Sequence, residues 1–362
     1  NKVMTADRWI RKTLGIIIAA MVLVVSVIVY VDPFYHYHKP HTDRFYYDMA
    51  GDFQRYYNDG ILKRFDYDAV IIGTSMTEFY SADYVNSLFD CTSVKTPFSG
   101  GEYAEIDRHL ADAFKDHNVR YVFRPLDFKV NSVLISEDLH SAPLEYIYND
   151  KLIDDVYYVL NKRVLLESMR IVINSMRYGR KGIVSFDDYY DWYDPQLFTK
   201  ERALSGSVIS EPEETAEFTD QEKEALRKNI RENVVRLASE HPETVFYYYL
   251  PPYSIANWAS IYSAGELDKR IEEERIMIEM ILPCENIHLF SFNLHTDWTT
   301  DLLNYCDITH YSPELNRRML QYMHDDTGRL TAENYEEYLE KEHQFYSSYD
   351  YMSLKEEGGK ES

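Results

Sequence analysis

The pattern of apolar residues predicts one long apolar helix followed by short strands that alternate with amphipathic helices. Residues 14–31 form an uncharged apolar run of 18 residues, close to the length with which an α-helix crosses the hydrocarbon core of a bilayer. Five short apolar runs follow, each ending in turn-forming residues, as is typical of buried parallel strands. These runs cover residues 69–73, 92–96, 121–126, 244–250 and 287–290.

Between these runs, apolar residues recur at the spacing of amphipathic helices. Ile106, Leu110 and Phe114 are four residues apart, and similar series occupy residues 226–234 and 267–271. Strands that alternate with such helices predict an α/β fold, in which helices cover both faces of a parallel sheet.

A long insertion interrupts this alternation between the third and fourth predicted strands. The gap of about 115 residues is far longer than a crossover connection needs, so residues 131–211 are assigned to an insertion. Its middle part, residues 150–176, has a helical pattern, and a stretch rich in glycine, aromatic and acidic residues follows. An excursion at the carboxyl edge of a sheet commonly forms a lid or a substrate wall.

The charge distribution predicts how the apolar helix is oriented in a membrane. The first 31 residues contain four basic residues and one acidic residue, whereas the whole chain carries a net charge of −23. Basic residues mark the cytoplasmic side of a membrane helix, so the acidic remainder is expected outside the cytoplasm. A cleaved signal peptide is the alternative, but the run is long for one and no small-residue cleavage site follows it.

The predicted organisation has five parts. They are a cytoplasmic stub (1–13), a transmembrane signal anchor (14–31), a juxtamembrane collar (32–65), an α/β domain (66–325) that contains the insertion, and a polar, solvated helix with an acidic tail (326–362).

Composition argues against several classes of function. With 61 Asp and Glu against 38 Lys and Arg, the chain repels phosphate backbones, and no basic patch offsets this, so nucleic-acid binding is not expected. Cys91, Cys284 and Cys306 lack the paired spacing of a zinc or redox site, so no metal is expected. Two alternatives remain open for the cysteines: a disulfide between Cys284 and Cys306, or three free thiols. No glycine-rich phosphate-binding motif occurs, so no nucleotide cofactor is expected.

Two short motifs place a nucleophile and a base at the carboxyl edge of the predicted sheet. Ser75 lies in the sequence GTSMTE, at the end of the first predicted strand, where ligands bind in open α/β sheets. After the last strand, Asp307 and His310 form a D-x-x-H motif, a spacing that lets the carboxylate orient the imidazole. Either motif alone is common, but together they are what a Ser-His-Asp hydrolase of this topology requires.

With these residues, the predicted α/β domain resembles the SGNH/GDSL hydrolase superfamily. Ser75 stands where the family has the serine of its GDS motif, and Asp307 and His310 match the family's last block. The resemblance implies a three-layer, flavodoxin-like fold with five parallel strands. It also implies an oxyanion hole formed by the backbone N–H groups of Ser75 and of Gly100 or Gly101 in PFSGGEY.

The third block of that family differs in this chain. The family has G-x-N-D there, with Asn as an oxyanion donor, whereas this chain has RPLDFKVN, with Asp127 in that region and Asn131 four residues later. An ionised carboxylate cannot donate a hydrogen bond, so the two backbone amides are left to form the hole. Asp127, Tyr253 and Trp298 are candidate substrate-binding residues. The alternatives are that the Pro-Pro-Tyr segment at Tyr253 only ends a strand and that Trp298 is a core residue.

The anchor, the altered third block and the D-x-x-H-Y-S turn together are similar to the D-alanyl transfer proteins of teichoic acid modification and to SGNH partners of membrane-bound O-acyltransferases. This similarity implies an extracytoplasmic serine esterase or O-acyltransferase. Its substrates would be acyl or aminoacyl esters of a cell-envelope polysaccharide or teichoic-acid-like glycopolymer, with a membrane-bound O-acyltransferase as a candidate partner and no cofactor. The alternative is a non-catalytic binding or scaffold protein with the same fold.

Overall fold

The computed structural model describes residues 6–49, 53–128, 132–149, 151–180, 185–189 and 192–358. The chain forms two compact units, one of residues 1–65 and 141–184 and the other of residues 66–140 and 185–362. The predicted insertion is therefore divided between the two units. Asn131 and part of the predicted cytoplasmic stub lie outside the described residues.

A five-stranded, all-parallel sheet lies in the second unit and confirms the predicted α/β fold. Its strands are β1 (Ala69–Gly73), β2 (Ser93–Pro97), β3 (Tyr121–Pro125), β4 (Val245–Leu250) and β5 (Ile287–Ser291). Their order is β2-β1-β3-β4-β5, which is the flavodoxin-like order. Because the chain passes from β1 to one side for β2 and to the other side for β3, the carboxyl end of β1 is the point at which such sheets form a ligand crevice.

The described α-helices are numbered in chain order along both units. They are α1 (Ala6–Val31), α2 (Gln54–Arg64), α3 (Ala82–Phe89), α4 (Tyr103–Asp116), α5 (Glu145–Tyr148), α6 (Asp155–Val159), α7 (Lys162–Tyr178), α8 (Lys200–Leu204), α9 (Asp220–Ile230), α10 (Arg236–Glu240), α11 (Ile255–Ser263), α12 (Leu267–Ile281), α13 (Thr296–Thr299), α14 (Pro313–His324), α15 (Tyr335–Ser348) and α16 (Ser353–Gly358). A π-helical turn, Arg231–Val235, joins α9 to α10.

The predicted amphipathic helices bury most of the apolar residues that defined them; Phe114 is half-buried. Ile106 and Leu110 of α4 are fully buried, as are Leu226, Ile230 and Val234 along α9 and the π-helical turn. Helix α4 packs against β1, and α9 packs against α12, so each helix has one buried face, which explains the four-residue spacing in the sequence.

The middle of the predicted insertion is not one continuous helix. It is divided into α6 and α7 at Asn161, whose side-chain oxygen accepts a hydrogen bond from the N–H of Arg163 at 2.8 Å. Asn is a favoured N-cap because this bond satisfies a free amide of the first turn. The helical pattern is therefore present as two consecutive helices.

The predicted polar carboxyl-terminal helix, α15, packs onto the second unit. Leu339, Glu342 and Tyr346 are fully buried, and the ring of Tyr346 stacks on Trp258 with 3.9 Å between ring centroids. The expectation of a solvated helix was wrong, because one face of α15 is buried. The sequence looked solvated because the other face is polar and the buried face includes the carboxylate of Glu342.

In the first unit, α1 is the one helix among the described residues that is long and apolar enough to cross a membrane. Its most apolar 18 residues have a mean hydropathy of 3.0, and 11% of them are buried. The helix ends at Asp32, which has a φ of +43°. The Asp32 carboxylate accepts hydrogen bonds from the backbone N–H groups of His36, Tyr37 and His38.

Candidate active site

The three predicted catalytic side chains meet at the carboxyl edge of the sheet. Ser75 follows β1 and begins a short 3₁₀ turn, Ser75–Thr77. His310 Nε2 lies 2.8 Å from Ser75 Oγ, and His310 Nδ1 lies 2.7 Å from Asp307 Oδ2. With the imidazole proton on Nδ1, Asp307 orients the ring and Nε2 accepts the Ser75 hydroxyl proton, as in a Ser-His-Asp triad.

The D-x-x-H segment is held in a tight turn by its own acidic residue. Asp307 Oδ1 accepts the backbone N–H groups of Thr309 and His310, both at 2.8 Å. The Ser254 hydroxyl donates to the carbonyl of Ile308 at 2.6 Å. One carboxylate oxygen thus fixes the backbone while the other orients the imidazole, which explains the three-residue spacing.

The electrostatics of this group favour a cationic imidazole. Burial lowers the pKa of His310, but the hydrogen bond to Asp307 and the charges of Asp307, Glu78 and Asp127 outweigh burial and raise the pKa above 6.5. Burial raises the pKa of Asp307, but hydrogen bonds from His310 and Thr309 lower it to about 2. Asp307 is therefore ionised, and it stabilises the imidazolium that forms when His310 takes a proton.

The structure distinguishes the two glycines predicted for the oxyanion hole. Gly100 has a φ of +72° and lines the cavity beside Ser75. The N–H of Gly101 donates to the carbonyl of Phe98 at 2.8 Å, so it is already engaged. A Cβ at Gly101 would lie 2.6 Å from Glu105 Oε2. Gly100 is the glycine placed to contribute to the oxyanion hole, and Gly101 permits close packing.

Ser75 lines a small cavity. Its volume is about 210 Å³, and its lining residues are Thr74, Ser75, Met76, Gly100, Asp127, Phe128, Tyr253, Thr309 and His310. This volume is below the usual range for drug-sized ligands, so it suits a short acyl group.

Asp127 and Tyr253, two of the three predicted substrate-binding residues, line this cavity and bond to each other. Asp127 is 4% exposed, and its Oδ2 accepts the Thr74 hydroxyl at 2.5 Å. Its Oδ1 accepts the Tyr253 hydroxyl at 3.1 Å. Burial raises the pKa of Asp127, and these two hydrogen bonds oppose the increase. Asp127 therefore organises the floor of the cavity as an acceptor.

Trp298, the third predicted substrate-binding residue, lies elsewhere. It is 4% exposed and stacks on His295 with 4.0 Å between ring centroids, and it does not line the Ser75 cavity. The prediction of a cleft position was wrong, and the alternative of a core position holds, because the Trp298 ring packs among Phe292, His295 and Tyr322.

The sequence did not predict the pair formed by Glu78 and Trp192. Trp192 Nε1 donates to Glu78 Oε2 at 2.5 Å, and the other carboxylate oxygen accepts the Ser99 hydroxyl. The Trp192 ring is edge-on to His310, with 5.4 Å between ring centroids. The place of the insertion at the carboxyl edge of the sheet indicated a lid or a substrate wall, but 114 residues separate the two partners, so local patterns could not pair them.

The described residues also contain one cluster within the second unit that could ligate a cation. His140 Nδ1 lies 2.7 Å from Glu102 Oε2 and 3.6 Å from Glu105 Oε2. None of the three residues lines the Ser75 cavity. Cys91, Cys284 and Cys306 are free thiols, so the Cys284–Cys306 disulfide is not formed.

In comparisons with known proteins, no family model, no curated protein and no solved structure matches this chain. The resemblance to SGNH hydrolases therefore stays a prediction, based on the motifs at Ser75 and at Asp307 and His310.

Proposed function

We propose that this protein is a serine esterase or O-acyltransferase with Ser75 as its nucleophile. The observation that carries the proposal is the continuous hydrogen-bonded series from Ser75 through His310 to Asp307, with distances of 2.8 and 2.7 Å. A non-catalytic scaffold has no need for this alignment, and a separation beyond about 5 Å between Ser75 Oγ and His310 Nε2 would have favoured one.

In the first half-reaction, Ser75 Oγ attacks the carbonyl carbon of an ester while His310 Nε2 takes the hydroxyl proton. The backbone N–H groups of Ser75 and Gly100 stabilise the negative oxygen of the tetrahedral intermediate. The intermediate collapses as the bond to the alcohol breaks, and His310 returns the proton to the leaving alkoxide. The products are the free alcohol and an acyl-Ser75 ester.

In the second half-reaction, water or a second alcohol attacks acyl-Ser75. His310 removes the proton of the incoming hydroxyl and returns it to Ser75 Oγ as the acyl bond breaks. Water gives a carboxylic acid, and an alcohol gives a new ester, so the same residues support hydrolysis and transfer.

The surroundings of the cavity support a short acyl group and a polyhydroxylated acceptor. Beside the cavity, Trp192 and Tyr193 of the insertion are 39% and 43% exposed, and the Glu78 bond fixes the Trp192 ring. Aromatic rings with one apolar face and one polar atom suit sugar surfaces. The substrate proposed from the resemblance is an acyl or aminoacyl ester of a cell-envelope glycopolymer, used outside the cytoplasm by a protein anchored through α1, with a membrane-bound O-acyltransferase as partner.

The scaffold alternative is favoured by one observation, which is that Asp127 stands where the related hydrolases have an amide donor. Because Asp127 accepts hydrogen bonds from Thr74 and Tyr253, the site lacks that third donor. A weaker oxyanion hole slows acyl transfer, whereas a scaffold would show no acyl-enzyme at all.

The test is covalent labelling of the full chain in detergent by a fluorophosphonate, together with p-nitrophenyl acetate turnover. Ser75→Ala is expected to abolish labelling and turnover. The matched control is Ser87→Ala, at an exposed serine that bonds only within its own helix turn, and it should retain both. Undiminished labelling of Ser75→Ala would contradict the assignment of the nucleophile, and an unlabelled, inactive wild type would favour the scaffold.

A further inference from the structure

Helix α7, in the first unit, is apolar on two opposite faces. One face is buried and includes Val164, Ser168 and Ile171. The other face is made of large apolar side chains that are 48–76% exposed, namely Leu166, Met169, Ile173 and Met176. Because successive helical residues are turned by about 100°, these two sets point in opposite directions. We call the exposed set the α7 stripe.

The residues just before α7 extend this apolar surface. Leu152, Ile153, Tyr157 and Leu160 are 64–84% exposed, and α6, which contains Tyr157, packs against α7. Single exposed apolar residues are common on soluble proteins, but a grouping of eight large ones marks a contact with a partner or a membrane.

The α7 stripe belongs to the same unit as the apolar helix. Helix α7 packs against α1, whose buried residues, Ile28 and Val31, lie at its carboxyl end. Two contacts hold α7 to the chain that follows α1. Arg170 forms hydrogen bonds of 2.8 and 2.6 Å to the Asp48 carboxylate, and the Tyr46 N–H donates to Ser175 Oγ at 2.7 Å. A bilayer that contains α1 therefore has the α7 stripe close to its surface.

The charge of this segment is opposite to that of the chain. Residues 151–180 contain six basic and three acidic residues, although the whole chain carries −23. Lys162, Arg163, Arg177 and Arg180 are exposed. An apolar stripe flanked by basic residues is typical of helices that lie in the headgroup region of anionic membranes, and exposed tyrosines such as Tyr157 and Tyr178 favour the same depth.

We propose that residues 151–180 form a second membrane contact, in which α7 lies in the headgroup region of an anionic bilayer beside α1. The α7 stripe enters the boundary of the acyl chains, and the flanking basic side chains bind lipid phosphates. The competing occupant is an apolar face of another membrane protein. Such a partner would not explain why this segment is basic in an otherwise acidic chain.

The first test uses the unaltered full chain in lipid nanodiscs that contain a lipid with a photoactivatable acyl chain. Mass spectrometry is expected to find lipid adducts in residues 151–178 as well as in α1, which serves as the internal positive control. Adducts in residues 151–178 should be at least twofold more frequent with phosphatidylglycerol than with phosphatidylcholine. Adducts confined to α1 in both lipids would overturn the proposal.

The second test measures the environment of single positions in the same nanodiscs. An environment-sensitive fluorophore is attached at Ile173→Cys and, as the control, at Glu340→Cys on an exposed position of α15, with the labelled parent chain subtracted. Nitroxide-bearing lipids are expected to quench the probe at position 173 at least twofold more than the probe at position 340. Equal quenching at the two positions would overturn the proposal. Protection of position 173 only when a second membrane protein is added would also overturn it and would assign the α7 stripe to a protein contact.

Discussion

The Thr74 hydroxyl donates a hydrogen bond to Asp127 Oδ2 at 2.5 Å, and the next residue after Thr74 is the proposed nucleophile, Ser75. Thr74 Oγ1 also accepts the N–H of Met76 at 3.3 Å, so Thr74 links the buried carboxyl group to the residues on either side of Ser75. Asp127 therefore positions the nucleophile turn through Thr74. In the hydrolases that this chain resembles, an oxyanion donor stands in this region.

The first prediction concerns the charge of Asp127. The negative charge of Asp127 contributes to the raised pKa of His310, which must be neutral to accept the Ser75 proton. Asp127→Asn is expected to lower that pKa and so to move the acidic limb of the kcat/KM profile to lower pH. The measurement is ester hydrolysis as a function of pH, with the exposed Asp325→Asn as control. An unchanged limb would show that Asp127 is already protonated where His310 titrates.

The second prediction concerns the orientation of His310. Asp307→Asn can keep the two backbone hydrogen bonds through its amide oxygen, but its NH₂ group faces Nδ1 and favours the wrong imidazole tautomer. We expect kcat to fall by about three to four orders of magnitude, with circular dichroism like that of the wild type. Activity within tenfold of the wild type would argue that another group orients the ring.

The third prediction concerns the conformation of Gly100. Its φ of +72° costs a residue with a Cβ about 1–2 kcal/mol, and relaxing that strain shifts the backbone of a residue that lines the cavity. Gly100→Ala is expected to lower kcat by about 10²-fold while Ser75 is still labelled. Gly101→Ala is the comparison. Its Cβ would lie 2.9 Å from the backbone carbonyl oxygen of Phe98 and 2.6 Å from Glu105 Oε2, so this substitution should mainly lower thermal stability. The opposite ranking would place the oxyanion donor at Gly101.

The fourth prediction concerns the buried carboxyl groups between α12 and α15. Asn293 Nδ2 donates to Glu342 Oε1 at 2.7 Å and lies 3.5 Å from both oxygens of Glu274. Burial and the charge of Glu274 raise the pKa of Glu342 well above 4.5, and the hydrogen bond from Asn293 and the charge of Arg270 only partly oppose this increase. Between pH 4.5 and the raised pKa, Glu342 therefore keeps a proton in the folded chain that it has lost in the unfolded chain.

Stability from this group is therefore fully present below pH 4.5 and is lost as the pH rises through the raised pKa. Glu342→Gln is expected to increase the free energy of unfolding at about pH 8 by about 1–3 kcal/mol and to reduce its decline with pH. Denaturant unfolding at a series of pH values measures both effects. Glu340→Gln, two residues away and exposed, should change neither, and equal pH slopes for Glu342→Gln and the wild type would contradict the prediction.

The sequence determined the features that depend on local patterns. The five strands were predicted to within one residue at each end, because buried parallel strands are short apolar runs bounded by turns. Ser75, Asp307 and His310 could be paired because the carboxyl ends of parallel strands share one edge of the sheet. The apolar helix near the amino terminus follows from composition alone.

Only the tertiary structure decided the features that depend on residues far apart in the chain. It paired Trp192 with Glu78, put Trp298 in the core, and placed Gly100 but not Gly101 in the lining of the Ser75 cavity. It also showed that α15 buries Glu342 and that α7 exposes its apolar stripe. The physical reason is the same throughout. Periodicity shows which residues form a face, but which face is buried, and against what, is set by long-range packing and by the hydrogen bonds that buried polar groups require.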